Sequence, residues 1–308
     1  MKWLFVIDPL ESLKLATDST YTIMKEAVRQ GLDVYHCTIQ DICYESNYPS
    51  GIAKGFSPPD DQRKIPISKK YTLNTFDLIF MRKDPPYDLG YHYATQILSL
   101  ARTKVVNSPT ALRNYNEKLI ILPFPQFIPE TIVTSQKHHI LAFLAHHSCG
   151  IVLKSLDSYQ GRSIKWIRDA SPASVDIIKH YTQNFTFPVM IQEYLPQILE
   201  GDKRILVLGG KILGAVSRIP KAGSFLANFS QGGTGQATRV TSRDEEIVAG
   251  ISRFLLDNSL HFVGIDVIGE FLTEINITCP TGIVQINALN NVHLEEKIVS
   301  YFRNQNHP

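Results

Sequence analysis

The stretch Val263-Gly-Ile-Asp-Val-Ile-Gly-Glu-Phe-Leu-Thr-Glu-Ile-Asn276 reads as two short strands around Gly269. Glu274 and Asn276 are two apart, so both point to one face of their strand, and Asp266 lies on the strand before it. A three-residue turn over 268–270 pairs Asp266 with Leu272 and sets it on the face of Glu274 and Asn276. A two-residue turn puts it on the other face. Two carboxylates and an amide oxygen on one rigid surface make a hard, oxygen-rich site suited to Mg²⁺ carrying phosphates. The same alternation also describes an ordinary solvated hairpin face.

Around this stretch the second half of the chain is antiparallel in character. Strands are expected at 131–134, 151–156, 163–167 and 189–195, with helices over 137–147 and 243–258 and a last helix from Val292. Runs at 204–208 and 211–216 flank Gly209-Gly210, a dipeptide that permits the positive φ angles of a tight hairpin turn. The first half differs. Apolar strand signals at 3–7, 32–38, 76–81 and 104–107 alternate with helical patterns over 19–30 and 91–101, which implies a mostly parallel sheet. Residues 46–70, rich in Pro, Gly, Ser and charge, read as a long exposed loop or a ragged insertion. The fold class is therefore α/β, a parallel-sheet N-terminal domain followed by a mainly antiparallel half, with Pro123, Pro125 and Pro129 marking a linker and the boundary near residue 120.

Composition narrows the functional classes. The chain has 308 residues, 44% hydrophobic and 19% charged, enough for a large core and incompatible with disorder. A net charge of +2, from 31 basic and 29 acidic residues, argues against a dedicated nucleic-acid binder. Cys37, Cys43, Cys149 and Cys279 show neither a CxxC pair nor metal spacing, and read as reduced thiols of a cytoplasmic protein. No apolar run approaches the roughly 18–20 residues of a membrane span, and the chain enters its first strand without a leader.

Other candidates are weaker one by one. Lys118 and Lys154 are point charges able to grip phosphates, though a lone lysine commonly just keeps a surface wet. The segment 156–163 could lay backbone N–H groups over phosphates, with Gly161 its one glycine, or be a plain hairpin turn. Gly232-Gly233-Thr234-Gly235 is more permissive. Arg82, in Met81-Arg-Lys-Asp-Pro-Pro86, stands at the carboxyl end of a strand, where open α/β sheets collect ligands, and its fork fits a carboxylate. The ten histidines fall on polar helix faces without ligand spacing.

Taken together these residues resemble bacterial glutathione synthetase, an ATP-grasp ligase. The likeness runs in order through Phe5-Val-Ile-Asp-Pro9, Asp18-Ser19, Met81 to Pro86, Val106-Asn-Ser-Pro109, Asn116-Glu-Lys-Leu119, Leu153-Lys-Ser-Leu-Asp157, Gln192-Glu-Tyr-Leu-Pro196, Gly201-Asp-Lys-Arg204, Ser217-Arg-Ile-Pro220 and the hairpin up to Thr281. The resemblance implies a pre-ATP-grasp domain over 1–120, then an ATP-grasp domain over 121–308 with a lid at about 121–195 and a core at about 196–308. It implies that ATP phosphorylates the C-terminal carboxylate of γ-glutamylcysteine and that glycine's amine attacks the acyl phosphate, giving glutathione, ADP and phosphate.

By the same resemblance, Lys118, Lys154 and Gly161 meet the ATP phosphates, Gln192, Glu193, Tyr194 and Leu195 form the adenine edge, and Asp202 lies near the ribose. Asp266, Glu274 and Asn276 match the magnesium ligands, for two Mg²⁺ ions with Mn²⁺ as a substitute. Arg204 and Arg218 stabilise the transferring phosphoryl group and the acyl phosphate, while Arg82, Asp18 and Ser19 hold the dipeptide. The implied partners are small molecules and other copies of the chain, as a homotetramer. The chain departs from the family pattern at 156–163, where lid glycines are missing, at Leu226 and Thr234, where the family has arginines, and at Val284-Gln-Ile-Asn287, which replaces an acidic stretch. Those changes leave open a ligase with another acceptor, or a nucleotide-binding relative that acts by regulation.

Overall fold

The computed structural model describes residues 1–58, 68–157 and 164–305. In the first part of the chain the strands are β1 (Lys2–Val6), β2 (Asp33–Cys37), β3 (Ile42–Glu45), β4 (Tyr48–Gly55), β5 (Lys69–Thr72), β6 (Leu78–Met81) and β7 (Val105–Val106), with helices α1 (Ser19–Arg29), α2 (Leu89–Leu98) and α3 (Pro109–Asn114). β2, β1, β6 and β7 lie side by side and parallel. Their near-continuous apolar runs are what a sheet covered on both faces requires: Trp3, Leu4, Phe5, Leu78, Ile79 and Phe80 have no exposed surface.

The expected long loop at 46–70 is corrected by β4, which pairs antiparallel with β2, β3 and β5. Its alternation runs through Gly51, Ala53 and Gly55, small residues that hydropathy does not flag and that are all buried, while Ile52 and Lys54 between them are exposed. The sheet is therefore mixed, its parallel centre carrying an antiparallel flank.

The remaining elements are β8 (Thr131–Thr134), α4 (Lys137–His146), β9 (Ile151–Lys154), β10 (Ile164–Ile167), α5 (Pro172–Tyr181), β11 (Val189–Glu193), β12 (Asp202–Leu208), β13 (Lys211–Ile219), β14 (Thr234–Ala237), α6 (Ser242–Asp257), β15 (Phe262–Ile268), β16 (Phe271–Asn276), α7 (Ile283–Asn290) and α8 (Leu294–Asn304). They build two antiparallel sheets, ordered β10-β9-β11-β8 and β14-β13-β12-β15-β16. Gly209 and Gly210, at φ +57° and +74°, form the expected two-residue turn between β12 and β13.

α7 was not anticipated. It begins at Gly282 without a side-chain cap, and Ile283 and Val284 are β-branched, so neither its start nor its composition announces a helix. α8 returns to the first sheet: Phe302 packs edge-on against Phe80, which stacks on Phe5. No helix among the described residues is long and apolar enough to cross a membrane.

Candidate active site

The β15–β16 hairpin settles its own parity by an unexpected route. Ile268 pairs with Phe271, so the turn holds two residues, Gly269 (φ +58°) and Glu270. By itself that turn would throw Asp266 to the wrong face. The register then shifts between Asp266 and Val267: Val267 pairs with Leu272, Asp266 with Glu274, and Thr273 is the extra residue of a β-bulge. Thr273 Oγ1 donates to the Asp266 carbonyl at 3.2 Å. The three-residue turn is thus corrected, yet Asp266, Glu274 and Asn276 still share a face, with Asn276 Nδ2 donating to Asp266 Oδ2 at 3.3 Å.

The neighbouring strand brings cations to the same row. Arg204 on β12 pairs with Asp266, and Asp202 pairs with Arg218 on β13. Arg204 Nε and Nη2 donate to the two Asp266 oxygens at 2.5 and 3.0 Å. Arg218 Nη2 reaches Asp266 Oδ2 at 3.0 Å and also bonds Asp202. Gly264 leaves room for this crossing, since a Cβ there would lie 3.2 Å from Arg204 Cδ.

All four charged groups are buried. Burial pushes the Asp266 carboxyl up, but Arg204 and Arg218 outweigh it and hold the group well below the usual carboxylate range. Burial pushes Asp202 up to about 6, with Arg218 and Arg204 pulling it back and Asp266 adding to the rise. Burial lowers the Arg218 pKa, and the two aspartates more than restore it.

Two lysines come in from other elements. Lys118, buried in the segment after α3, places Nζ 3.5 Å from Glu274 Oε1. Lys154 ends β9, and its Nζ contacts the Thr273 carbonyl at 3.4 Å. Burial pulls the Lys154 pKa down, against the charge of Glu274. Next to Lys118, Glu117 was passed over in the sequence. Its Oε1 accepts from the Ile277 N–H (2.8 Å), the Thr278 N–H (2.9 Å) and Thr278 Oγ1 (2.8 Å), which staples the end of β16 to the Lys118 segment.

Two cavities meet at this wall. The first is lined by the charged Lys154, Asp202, Asp266 and Glu274, the apolar Val152, Ile164, Ile198, Phe225 and Ile268, and the run Gln192, Glu193, Tyr194 and Leu195. An apolar slot ending in charged groups suits a flat heterocycle carrying phosphates. The second, of about 120 Å³, is lined by Asp84, Glu117, Arg204, Arg218, Glu274, Asn276, Thr278 and Cys279. Glu274 and Asn228 belong to both.

Polar atoms short of partners sit along this wall: Asp202 Oδ1 and Arg218 Nε are buried and unbonded. Among the described residues no three His, Cys, Asp or Glu side chains group as a metal site. Two carboxylates, an amide oxygen and phosphate oxygens are nevertheless a fitting donor set for a hard divalent cation.

The remaining candidates are placed less directly. Arg82 is buried, with Nε donating to Thr20 Oγ1 (3.0 Å), Nη2 to the Pro280 carbonyl (2.9 Å), and Nη1 without a partner. Asp18 caps α1 through the Tyr21 N–H, and the fully buried Ser19 accepts from the N–H groups of Gly282 and Ile283. These three anchor the chain behind the second cavity and do not line it. Leu226 lines the first cavity, and Thr234 is exposed at the start of β14. Gly161, with Tyr159 and Arg162, lies outside the described residues.

The fold is shared with solved ATP-grasp ligases. The macrocyclase MdnC, bound with precursor peptide MdnA from Microcystis aeruginosa, superposes with a TM-score of 0.68 at 13% identity, covering 99% of this chain and 100% of that one. The ATP-grasp ligase PsnB, complexed with precursor peptide PsnA2 and AMPPNP, gives 0.65 at 14%, covering 99% and 98%. At such identities the likeness is one of fold alone.

Sequence comparison is more specific. The profile of the prokaryotic glutathione synthetase N-terminal domain matches residues 1–113, and that of the prokaryotic glutathione synthetase ATP-grasp domain matches 117–291. The glutathione synthetase of Nitrosomonas europaea is 40% identical over 297 residues, 93% of this chain and 92% of the relative. That of Synechocystis sp. is 38% identical over 320, covering 99% and 100%. The chain belongs to the prokaryotic glutathione synthetase family.

Proposed function

We propose that this protein is an ATP-dependent ligase that joins γ-glutamylcysteine and glycine, the reaction for which its relatives are named. The observation that carries this is the shared wall: Glu274, with Asp266, Arg204 and Arg218 beside it, separates a slot suited to a nucleotide from a cavity able to take a carboxylate.

A carboxylate is a poor electrophile until one oxygen becomes a leaving group. The donor carboxylate oxygen takes the terminal phosphoryl group of ATP, the bond to ADP breaks, and an acyl phosphate forms. Glycine's neutral amine then attacks the acyl carbon, phosphate departs with the electron pair of the C–O bond, and the nitrogen gives up a proton to leave the amide. Asp266, Glu274 and Asn276 would hold divalent cations, two Mg²⁺ ions in this reading with Mn²⁺ as a substitute, and these neutralise phosphate charge when bound. Lys118 and Lys154 grip phosphate oxygens, and Arg218 offers its unbonded Nε. Arg204 holds Asp266 in place through its fork. Gln192, Glu193, Tyr194 and Leu195 edge the adenine, and Asp202 the ribose. Catalysis here is position and electrostatics in a buried site.

We assign 1–120 as the N-terminal domain, about 121–195 as the lid and about 196–308 as the core of a cytoplasmic homotetramer. The test is release of ADP from ATP and Mg²⁺ with γ-glutamylcysteine plus glycine, set against a panel of other amino-acid acceptors. Release confined to the first pair supports the proposal. Release with another acceptor moves the specificity elsewhere, and ATP binding without any release points to a regulatory relative.

A further inference from the structure

We propose that Asp84 recognises the α-ammonium group at the γ-glutamyl end of the donor; this rests on the ligase reading above and deepens it. Beyond the end of β6 the chain continues through Arg82, Lys83 and Asp84. The Arg82 N–H donates to the Val6 carbonyl at 2.8 Å and the Asp84 N–H to Asp8 Oδ2 at 2.9 Å, so the tips of β1 and β6 are tied together and the backbone of Asp84 is fixed. From there Asp84 lines the second cavity beside Pro85, Thr278 and Cys279.

The cations of this region are turned elsewhere. Lys83 Nζ faces Asp8 Oδ1 (3.5 Å) and the Asp84 carbonyl (2.7 Å). Arg82 gives Nε to Thr20 and Nη2 to Pro280 and forms no ion pair with Asp84, although its charge is felt there. Arg204 and Arg218 bind Asp266 and Asp202. Among the described residues the Asp84 carboxylate forms no ion pair. Burial raises its pKa, with the Cys279 thiol and Arg82 pulling it back and Asp18 and Asp8 adding to the rise. A carboxylate so placed lacks a cation that a ligand can bring.

Of the carboxylates lining this cavity, Glu117 accepts from Ile277 and Thr278 and Glu274 faces Lys118, which leaves Asp84 beside the Cys279 thiol. That setting suits an ammonium better than a divalent cation, which needs more oxygen ligands. The choice between the two ammonium groups follows from reactivity. Glycine's nitrogen must lose a proton before it attacks, and a carboxylate holding it as ammonium would raise its pKa and oppose the step. The glutamyl ammonium takes no part in the chemistry. Because the donor is γ-linked, that ammonium sits at the end remote from the cysteinyl carboxylate, which belongs with Arg218 and Glu274.

The test compares two donors, γ-glutamylcysteine and glutaryl-cysteine, which lacks the ammonium, with the full chain, ATP, Mg²⁺ and saturating glycine. For the wild type, the KM for glutaryl-cysteine should be on the order of 10- to 100-fold higher, the worth of one charged hydrogen bond. Asp84→Asn should raise the KM for γ-glutamylcysteine by a similar factor, add no further rise with glutaryl-cysteine, and leave the KM for ATP as it was. Equal KM values for the two donors in the wild type would overturn the proposal whether or not the variant folds, and so would an equal shift of both donors by Asp84→Asn. A wild type that releases no ADP with γ-glutamylcysteine and glycine strikes the ligase reading itself, a different result from an active enzyme indifferent to the ammonium.

Discussion

Replacing Asp266 by Asn separates the two tasks assigned to that residue. Asp266 and Asp202 balance Arg204 and Arg218, and the contacts to Asp266 are 2.5, 3.0 and 3.0 Å. The substitution keeps the shape but leaves two buried guanidinium groups facing one carboxylate. Removing one partner of a buried pair costs about 3–5 kcal/mol; at roughly 1.5 °C per kcal/mol for 308 residues, the midpoint of thermal unfolding should fall by about 5–8 °C. Glu274→Gln is the matched control, because Glu274 has Lys118 at 3.5 Å and a side chain 22% exposed. Lys118 is buried but Glu274 reaches solvent and the contact is long, so this change should cost less stability than Asp266→Asn. Both substitutions remove a cation ligand, so both should lower ADP release at least about a hundredfold. Circular dichroism without nucleotide reads the first effect and a coupled ADP assay the second. The reasoning is refuted if Asp266→Asn melts with the wild type, if Glu274→Gln loses as much stability, or if either retains full turnover.

Other outcomes follow from single contacts. Lys154→Met removes a charge that its burial disfavours, so the free protein should melt no lower than wild type, while ADP affinity by calorimetry should weaken by roughly 10- to 100-fold; unchanged affinity would remove Lys154 from the site. At Gly233 a Cβ would lie 2.0 Å from the Ala227 carbonyl, so Gly233→Ala must displace the segment 227–230 that lines both cavities, and the KM for ATP should rise with little change in melting. His261 has its pKa lowered to about 4 by burial and by Lys104, with Tyr301 Oη 3.0 Å from its Nδ1 and Phe302 beside the ring. The folded chain thus favours the neutral ring. This contribution is present above the unfolded value of about 6.5 and is lost as pH falls toward 4. His261→Asn should flatten the melting temperature between those pH values, and an unaltered profile would contradict the assignment.

How far the sequence carried differs between elements for physical reasons. β1 and β6 were legible because a strand covered on both faces must be apolar throughout, and the β12–β13 turn because Gly209-Gly210 has few other uses. β4 was missed because its inward side chains are small, and α7 because its start lacks a cap. In the site, residue types were readable but their side of the ribbon was not. That depends on the bulge at Thr273, a local bond to the Asp266 backbone that no spacing announces. Glu117 stood beside Lys118 in plain view, yet its role appears only when β16 is seen ending against it. The meeting of Lys118, Lys154 and Arg218, from three separate stretches, came from family resemblance rather than from any pattern in the chain.

The most direct test follows an oxygen atom. γ-Glutamylcysteine labelled with ¹⁸O in its cysteinyl carboxylate is turned over with ATP, Mg²⁺ and glycine, and the phosphate released is weighed by mass spectrometry. Activation of the carboxylate by phosphoryl transfer requires one ¹⁸O in each phosphate and one remaining in the peptide bond of the product. Unlabelled phosphate, with product formed, would contradict the account.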